Sequence, residues 1–295
     1  MRRVSIGNGS DDLQRKNDTG FFRTDETGAG ISVNRPGGLN KMAGFLPILT
    51  FHTLDDQSST VSFSPKVFRH GMARLHEKGY QTLHLLEAIS FLRQGIPFPE
   101  RSLVITFDDG YRNVYDEAFP ILQRYSMSAT VFLTVGERGT TSATGLLPSL
   151  NGRSMLNWDN VREMHRWGIT FGAHTLTHPD LTRLPLDQTW SEICLSKSIV
   201  EEALSSPVTC FAYPYGRQDD RIRELVRQHF LCACSDKFGL VTPRSDLYSL
   251  ERIDACYFRA HRLFGVVSTG WFPSYIWARN IPISVQRAFQ RRWKR

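Results

Sequence analysis

The pattern of hydrophobic and polar positions along the chain changes near residue 44. Residues 1–43 are rich in Gly, Asn, Asp, Ser and Thr and have neither helical nor strand periodicity, which is typical of a disordered or poorly ordered leader. From Leu46 onward, short apolar runs alternate with segments in which apolar residues recur every three or four positions. This alternation predicts repeated units of one strand followed by one helix.

The apolar runs and the periodic segments can be assigned one by one. Strands are predicted at 46–52, 102–107, 129–133, 169–173, 208–212, 230–235 and 250–255, and helices at 65–78, 85–92, 115–124, 158–167, 186–204 and 219–228. Because the strands are rich in Val, Ile and Phe, they indicate parallel pairing with right-handed crossovers. About seven such units predict a single α/β domain, a distorted or incomplete (β/α) barrel of about seven parallel strands.

The net charge of +7 is confined to the C-terminal tail. Seven of the 36 basic residues lie in residues 262–295, which contain no acid, so 29 basic and 29 acidic residues remain elsewhere. A neutral body argues against a broad phosphate-binding face, and therefore against a nucleic-acid partner. The tail is also aromatic, and Val285, Phe289 and Trp293 share one helical face. It suits either peripheral contact with an anionic membrane or packing against the barrel.

The cysteines and the apolar runs indicate in which cellular compartment the protein is expected. The five cysteines are an odd number without a Cys-x-x-Cys pair, which favours buried thiols in a reducing compartment. No apolar run follows the basic N-terminus, and no stretch of about 18 apolar residues occurs. We therefore expect no signal peptide and no transmembrane helix, and a cytoplasmic protein that the tail could associate with a membrane.

Two segments that follow predicted strands carry candidate chemistry. Asp108 and Asp109 come directly after the strand 102–107, where one carboxylate can ligate a metal while the other acts as a base. A plain Asp-Gly turn is the alternative. His174 and His178 follow the strand 169–173, and two imidazoles four positions apart suit zinc, cobalt or nickel. A structural role for the two histidines is the alternative.

Three motifs, in their order along the chain, resemble those of a known protein family. Thr106–Gly110, His174–His178 and Phe211–Gly216 are similar to the first three motifs of the polysaccharide deacetylases, carbohydrate esterase family four. The similarity extends over about residues 46–255, and we place the catalytic domain at 44–261, between the leader 1–43 and the tail 262–295. The resemblance implies a divalent metal, usually zinc, held by Asp109, His174 and His178, with Asp108 as the general base.

Two positions depart from the family pattern. The family commonly has an Arg two residues before the Pro of the third motif, where this chain has Ala212. We expect Arg252, in the last predicted strand, to supply the missing guanidinium that keeps the base ionised. The family's Leu-x-x-His, which supplies the general acid, occurs here at the N-terminal end of the domain and ends at His52. Some exopolysaccharide deacetylases are circularly permuted in this way, so His52 is the predicted acid, with a buried strand-end His as the alternative.

The resemblance also implies the reaction. The backbone N–H of Tyr215 would help to form an oxyanion hole, with aromatic packing as the alternative reading of this residue. The expected protein is a metal-dependent hydrolase that removes N-acetyl groups from an amino-sugar polysaccharide, oligosaccharide or lipid-linked saccharide and releases acetate. A small-molecule amidase of the same superfamily and a catalytically silent carbohydrate-binding protein are the alternatives. The sequence leaves the sugar, the linkage, the metal and the oligomeric state open.

Overall fold

Seven parallel strands close into a barrel in the computed structural model, which describes residues 42–136, 147, 150, 152–259 and 264–280. The strands are β1 (Ile48–Phe51), β2 (Ser102–Phe107), β3 (Thr130–Leu133), β4 (Thr170–Ala173), β5 (Cys210–Ala212), β6 (Cys232–Phe238) and β7 (Leu250–Asp254). Their order is β1-β7-β6-β5-β4-β3-β2, and β2 pairs in turn with β1, so the ring of strands is complete. The predicted (β/α) barrel is confirmed.

Six helices of the described residues connect these strands. They are α1 (Pro65–Glu77), α2 (Leu85–Gln94), α3 (Phe119–Arg124), α4 (Trp158–Arg166), α5 (Leu186–Leu204) and α6 (Asp220–His229). Local sequence explains where several of them begin. Pro65 occupies the first turn of α1, where its missing N–H costs nothing, and the Asp219 side chain accepts a hydrogen bond from the N–H of Ile222 at the start of α6.

One predicted helix, 115–124, is divided in the structure. Its first part, Val114–Ala118, is a π-helical turn in which the N–H of Phe119 bonds to the carbonyl of Val114, and only then does α3 begin. Pro120 lacks the N–H that an α-helix would require at this point, and its ring crowds the preceding turn. The wider π-turn accommodates that defect.

Alternation along the strands decides which side chains face the inside of the barrel. Ile48 and Val104 are paired in register and belong to the same buried cluster as Cys210 and Leu250. Two positions further along β1 and β2, Thr50 and Thr106 meet across the strands through their hydroxyl oxygens, 3.0 Å apart. Because the side-chain period of a strand is two, the next inward position is Asp108, one residue beyond the end of β2.

The described part of the tail packs on the barrel. The Phe264 ring is buried against Phe51 and Phe63, and it occupies the space that a side chain at Gly71 of α1 would need. Residues 272–280 are helical, and Phe272 on this helix is also buried. The predicted helical face of Val285, Phe289 and Trp293 lies outside the described residues. Membrane contact through the tail therefore stays a prediction.

The described helices were compared with the length and composition of a membrane-spanning helix. Among the described residues, no helix combines the length and the apolar composition that crossing a membrane would require.

Candidate metal centre

A cleft of about 360 Å³ opens at the C-terminal ends of the barrel strands. Its wall contains all seven residues that the sequence singled out, which are His52, Asp108, Asp109, His174, His178, Tyr215 and Arg252. They come from the ends of five different strands or from the loops that follow, and only the closed barrel brings them together. This is the end of the barrel at which (β/α)-barrel enzymes place their active sites.

Three of these side chains converge on one point. Asp109 Oδ1 lies 3.5 Å from His174 Nε2 and 3.4 Å from His178 Nε2. All three ligand atoms lie within 4.8 Å of one another, and Asp109 and His174 are buried. One carboxylate and two imidazoles are a donor set that divalent transition metals accept, with further positions left open for water or substrate.

Two details of this group fit a cation. Asp109 Oδ1 is buried without a hydrogen-bond partner among the described residues, and a buried anionic oxygen in that state is costly unless something pairs with it. His174 Nδ1 lies 2.7 Å from the carbonyl oxygen of Ala212 and donates its proton there, so Nε2 keeps its lone pair on the side of Asp109. The residues present therefore fit a metal ion.

The two histidines differ in their titration. Burial lowers the pKa of His174, but the close approach of Asp109 and the charges of Asp108 and Asp109 outweigh burial, so the pKa lies above its usual value. Burial, followed by the neighbouring His174, lowers the pKa of His178 to about 4. His178 is therefore neutral at neutral pH, which is the form that binds metals, whereas at His174 a metal would compete with a proton.

The loop that carries the histidines is held by a residue that the sequence did not single out. Glu192 on α5 accepts hydrogen bonds from the backbone N–H groups of Leu176 and Thr177, at 2.8 and 2.9 Å. The backbone of Thr175 and His178 has positive φ, 70° and 60°, which costs energy for residues other than glycine and persists only where surrounding contacts enforce it. We infer that Glu192 enforces this strained geometry.

Asp108 faces the same cleft but binds a different partner. Arg252 Nη1 donates to Asp108 Oδ1 and Nη2 to Asp108 Oδ2, both at 2.8 Å, and both residues are buried. Burial raises the pKa of Asp108, but the charge and hydrogen bonds of Arg252 outweigh it, so the pKa lies well below its usual range. Asp108 is therefore a carboxylate at neutral pH and lies outside the group of three ligand atoms.

A backbone carbonyl also holds the Arg252 guanidinium in place. Arg252 Nε donates to the carbonyl oxygen of Ser235 at 2.9 Å. Arg252 thus contacts the carboxylate of the expected base, while Ala212 contributes only its small side chain and its carbonyl oxygen. The functional role of Arg252 stays a prediction.

His52 and Tyr215 have different neighbours in this centre. His52 Nε2 is 4.0 Å from Asp108 Oδ2, next to the carboxylate rather than the three ligand atoms. The Tyr215 ring lies 4.7 Å from the His178 ring, and its backbone has φ of 56°. Both residues border the cleft, and their roles as general acid and oxyanion-hole donor stay predictions.

A ligand substitution should separate metal binding from folding. We expect His178→Ala to lower the affinity for Zn²⁺ on the order of 100-fold, because two of three protein ligands remain. Equilibrium dialysis with elemental analysis measures this affinity. His70→Ala, an exposed histidine on α1, is the matched control and should bind Zn²⁺ like the unaltered protein. Equal affinities of the two variants would contradict a metal site at His178.

Known proteins resemble the chain in sequence and in structure. The family model for polysaccharide deacetylases matches residues 95–231. The Bacillus subtilis (strain 168) protein YxkH, which carries the same family name, is 29% identical over 232 residues, covering 78% of this chain and 76% of YxkH. The poly-beta-1,6-N-acetyl-D-glucosamine N-deacetylase of Staphylococcus epidermidis is 29% identical over 200 residues, covering 65% of this chain and 67% of that protein.

Solved structures share the fold. The Streptococcus pyogenes deacetylase PplD, determined in complex with acetate, superposes with a TM-score of 0.64 at 25% identity and covers 71% of this chain and 92% of PplD. The barrel, the order of the three motifs and these likenesses lead to one conclusion: the chain contains a polysaccharide deacetylase domain, which the family model matches over residues 95–231.

Proposed function

We propose that this protein is a metal-dependent hydrolase that removes N-acetyl groups from an amino-sugar saccharide and releases acetate. The observation that carries the proposal is the convergence of Asp109, His174 and His178 beside an ionised Asp108 that is outside the ligand group. A structural metal site would need no second, ionised carboxylate beside its ligands, whereas a hydrolytic site needs a base.

The metal ligands in this proposal are Asp109, His174 and His178, and the ion is zinc, with cobalt or nickel as alternatives. A divalent cation held there supplies Lewis acidity, which polarises a carbonyl oxygen and strengthens water as a nucleophile at neutral pH.

The other residues of the cleft move protons and hold the substrate. Asp108 takes a proton from the attacking water, and Arg252 keeps its carboxylate ionised and fixed in orientation. His52 gives a proton to the departing sugar nitrogen, so that an amine leaves rather than an unstable anion. The backbone N–H of Tyr215 donates a hydrogen bond to the oxygen on which negative charge develops.

The substrate class rests on the relatives. The S. epidermidis relative is named for the deacetylation of poly-beta-1,6-N-acetyl-D-glucosamine. We infer that an N-acetylated glucosamine polymer or oligomer is also the substrate here. The cleft agrees with a saccharide, because Phe238, Tyr257 and the exposed Tyr215 present aromatic surface to it beside carboxylates.

Acetate release tests the proposal and its alternatives together. Purified protein loaded with Zn²⁺ is incubated with β-1,6-linked and β-1,4-linked N-acetylglucosamine oligomers, and with monomeric N-acetylglucosamine and acetamide. Acetate and the loss of acetyl mass from the sugar are both measured. Release from an oligomer supports the proposal. Release from the small amides alone would favour an amidase, and sugar binding without release would favour a silent carbohydrate-binding protein.

A substrate with a good leaving group tests His52. We expect His52→Ala to lower kcat for an N-acetylglucosamine oligomer by about 10²-fold, because a sugar amine departs only when protonated. The same variant should hydrolyse an aryl acetate at nearly the unaltered rate, since a phenolate leaves without a proton. His70→Ala is the control for both substrates. An equal loss on the amide and the ester would contradict a role of His52 as general acid.

A further inference from the structure

One carboxylate in the wall of the cleft has no part in the proposed chemistry. Asp236 lies on β6, where the pairing with β7 is irregular: Cys234 pairs with Leu250, but Phe238 pairs with Arg252. Four residues of β6 therefore span the distance that two residues of β7 span, and Asp236 lies within this bulge. Bulges near active sites redirect side chains, and here Asp236 lines the cleft.

The turn that follows the neighbouring strand β5 leaves space for this carboxylate. A Cβ atom at Gly216 would come within 2.2 Å of both Cγ and Oδ1 of Asp236, and Gly216 has φ of 60°. Any other residue at this position would collide with the Asp236 side chain. Gly216 directly follows Tyr215, whose ring contacts His178, and all four residues line the same cleft.

The basic groups around Asp236 are engaged elsewhere. Lys237 pairs with Glu251, Arg217 pairs with Asp180, and Arg252 is committed to Asp108. Within the part of the chain that the structure describes, Asp236 makes no ion pair and accepts no hydrogen bond. A carboxylate without a cation at the edge of a cleft is available to a ligand.

The surroundings of Asp236 favour a sugar that carries a positive charge. The rings of Phe238 and Tyr257 meet edge to face with their centroids 4.7 Å apart and line the same cleft. Aromatic rings pack against the apolar face of a sugar ring, and the Tyr257 ring already has the Arg279 guanidinium over it, 5.3 Å from the ring centroid. Asp254 adds a second carboxylate to this side of the cleft.

We propose that Asp236 is a specificity-determining residue that binds the ammonium group of a free amino sugar next to the acetylated unit that reacts. The inference rests on the proposed function, since hydrolysis of one N-acetyl group converts a neutral amide into an amine that is protonated at neutral pH. Partly deacetylated chains therefore carry ammonium groups beside acetylated units. Asp236 makes such chains better substrates than fully acetylated ones.

The test compares two pentamers of β-1,6-linked glucosamine, one fully acetylated and one with alternating free amines. For the unaltered enzyme we expect kcat/KM per acetyl group to be about fivefold higher on the partly deacetylated pentamer at low salt, and this preference to fall as salt is raised. In Asp236→Asn the ratio of kcat/KM on the partly deacetylated pentamer to kcat/KM on the fully acetylated one should fall towards one. Asp159→Asn, an exposed carboxylate on α4 outside the cleft, should keep the preference. An unchanged preference in Asp236→Asn, or none in the unaltered enzyme, would overturn the proposal.

A binding measurement distinguishes this inference from the proposed function. Titration calorimetry of the metal-free protein with a fully deacetylated pentamer should show binding that Asp236→Asn weakens about fivefold and Asp159→Asn does not. If this loss is observed and no substrate releases acetate, the proposed function fails while the ammonium site stands. If acetate is released but Asp236→Asn binds the pentamer like the unaltered protein, the ammonium site fails alone.

Discussion

Replacing Asp108 by Asn is expected to lower kcat for acetate release by about 10³-fold, within the range that general bases contribute. The amide is nearly the same size as the carboxylate and still offers an oxygen to Arg252, but it cannot accept a proton from water. KM should change much less than kcat, because the substitution removes a proton acceptor and no contact that the proposal assigns to the bound sugar. Steady-state kinetics on an N-acetylglucosamine oligomer measures both constants.

Two controls accompany this variant. Asp108 lies outside the ligand group, so Asp108→Asn should still bind one Zn²⁺, which dialysis with elemental analysis checks. Asp159→Asn makes the same chemical change on an exposed part of α4 and should leave kcat unaltered. If Asp108→Asn retained more than about a tenth of the unaltered kcat, another group would have to be the base.

The barrel could be predicted from the sequence because its strands are short, buried and separated by strongly periodic helices. All seven predicted strands have a counterpart in the ring, and α5 was predicted with its observed bounds. The two-residue strands, such as Gln81–Thr82 beside β2, could not be predicted, because two residues carry no periodicity. The bulge of β6 was missed for a related reason, since it depends on the partner strand.

The candidate site was predictable to the extent that its chemistry is local in sequence. The adjacent carboxylates and the paired histidines are visible as motifs, and the structure brings them together as expected. Arg252 was inferred only because Ala212 left a role unfilled. Glu192 and Asp236 gave no signal, because a glutamate in the middle of a long helix and an aspartate on a strand acquire their roles only through contacts distant in sequence.

The ion pair of Arg252 and Asp108 should affect stability as well as catalysis. We expect Arg252→Ala to lower the free energy of unfolding by about 3–5 kcal/mol, because it leaves a buried carboxylate without its partner. For a chain of this size the midpoint of thermal unfolding should fall by about 6–20 °C, which calorimetry measures. Because Asp108 also loses its fixed orientation, kcat should fall by about 10²-fold.

A matched substitution separates burial from the loss of a charge. Arg221 pairs with Asp219 at 3.2 Å, but the two side chains are 51% and 40% exposed, so Arg221→Ala should cost less than about 1 kcal/mol and leave kcat unchanged. Arg252→Lys restores the charge without the two parallel hydrogen bonds, so its stability and kcat should lie between those of Arg252→Ala and the unaltered protein. Arg252→Ala could instead prove as stable and as active as Arg221→Ala. The ionisation and orientation of Asp108 would then not depend on the Arg252 guanidinium. The presence of Ala212 where the family has an arginine would need another explanation.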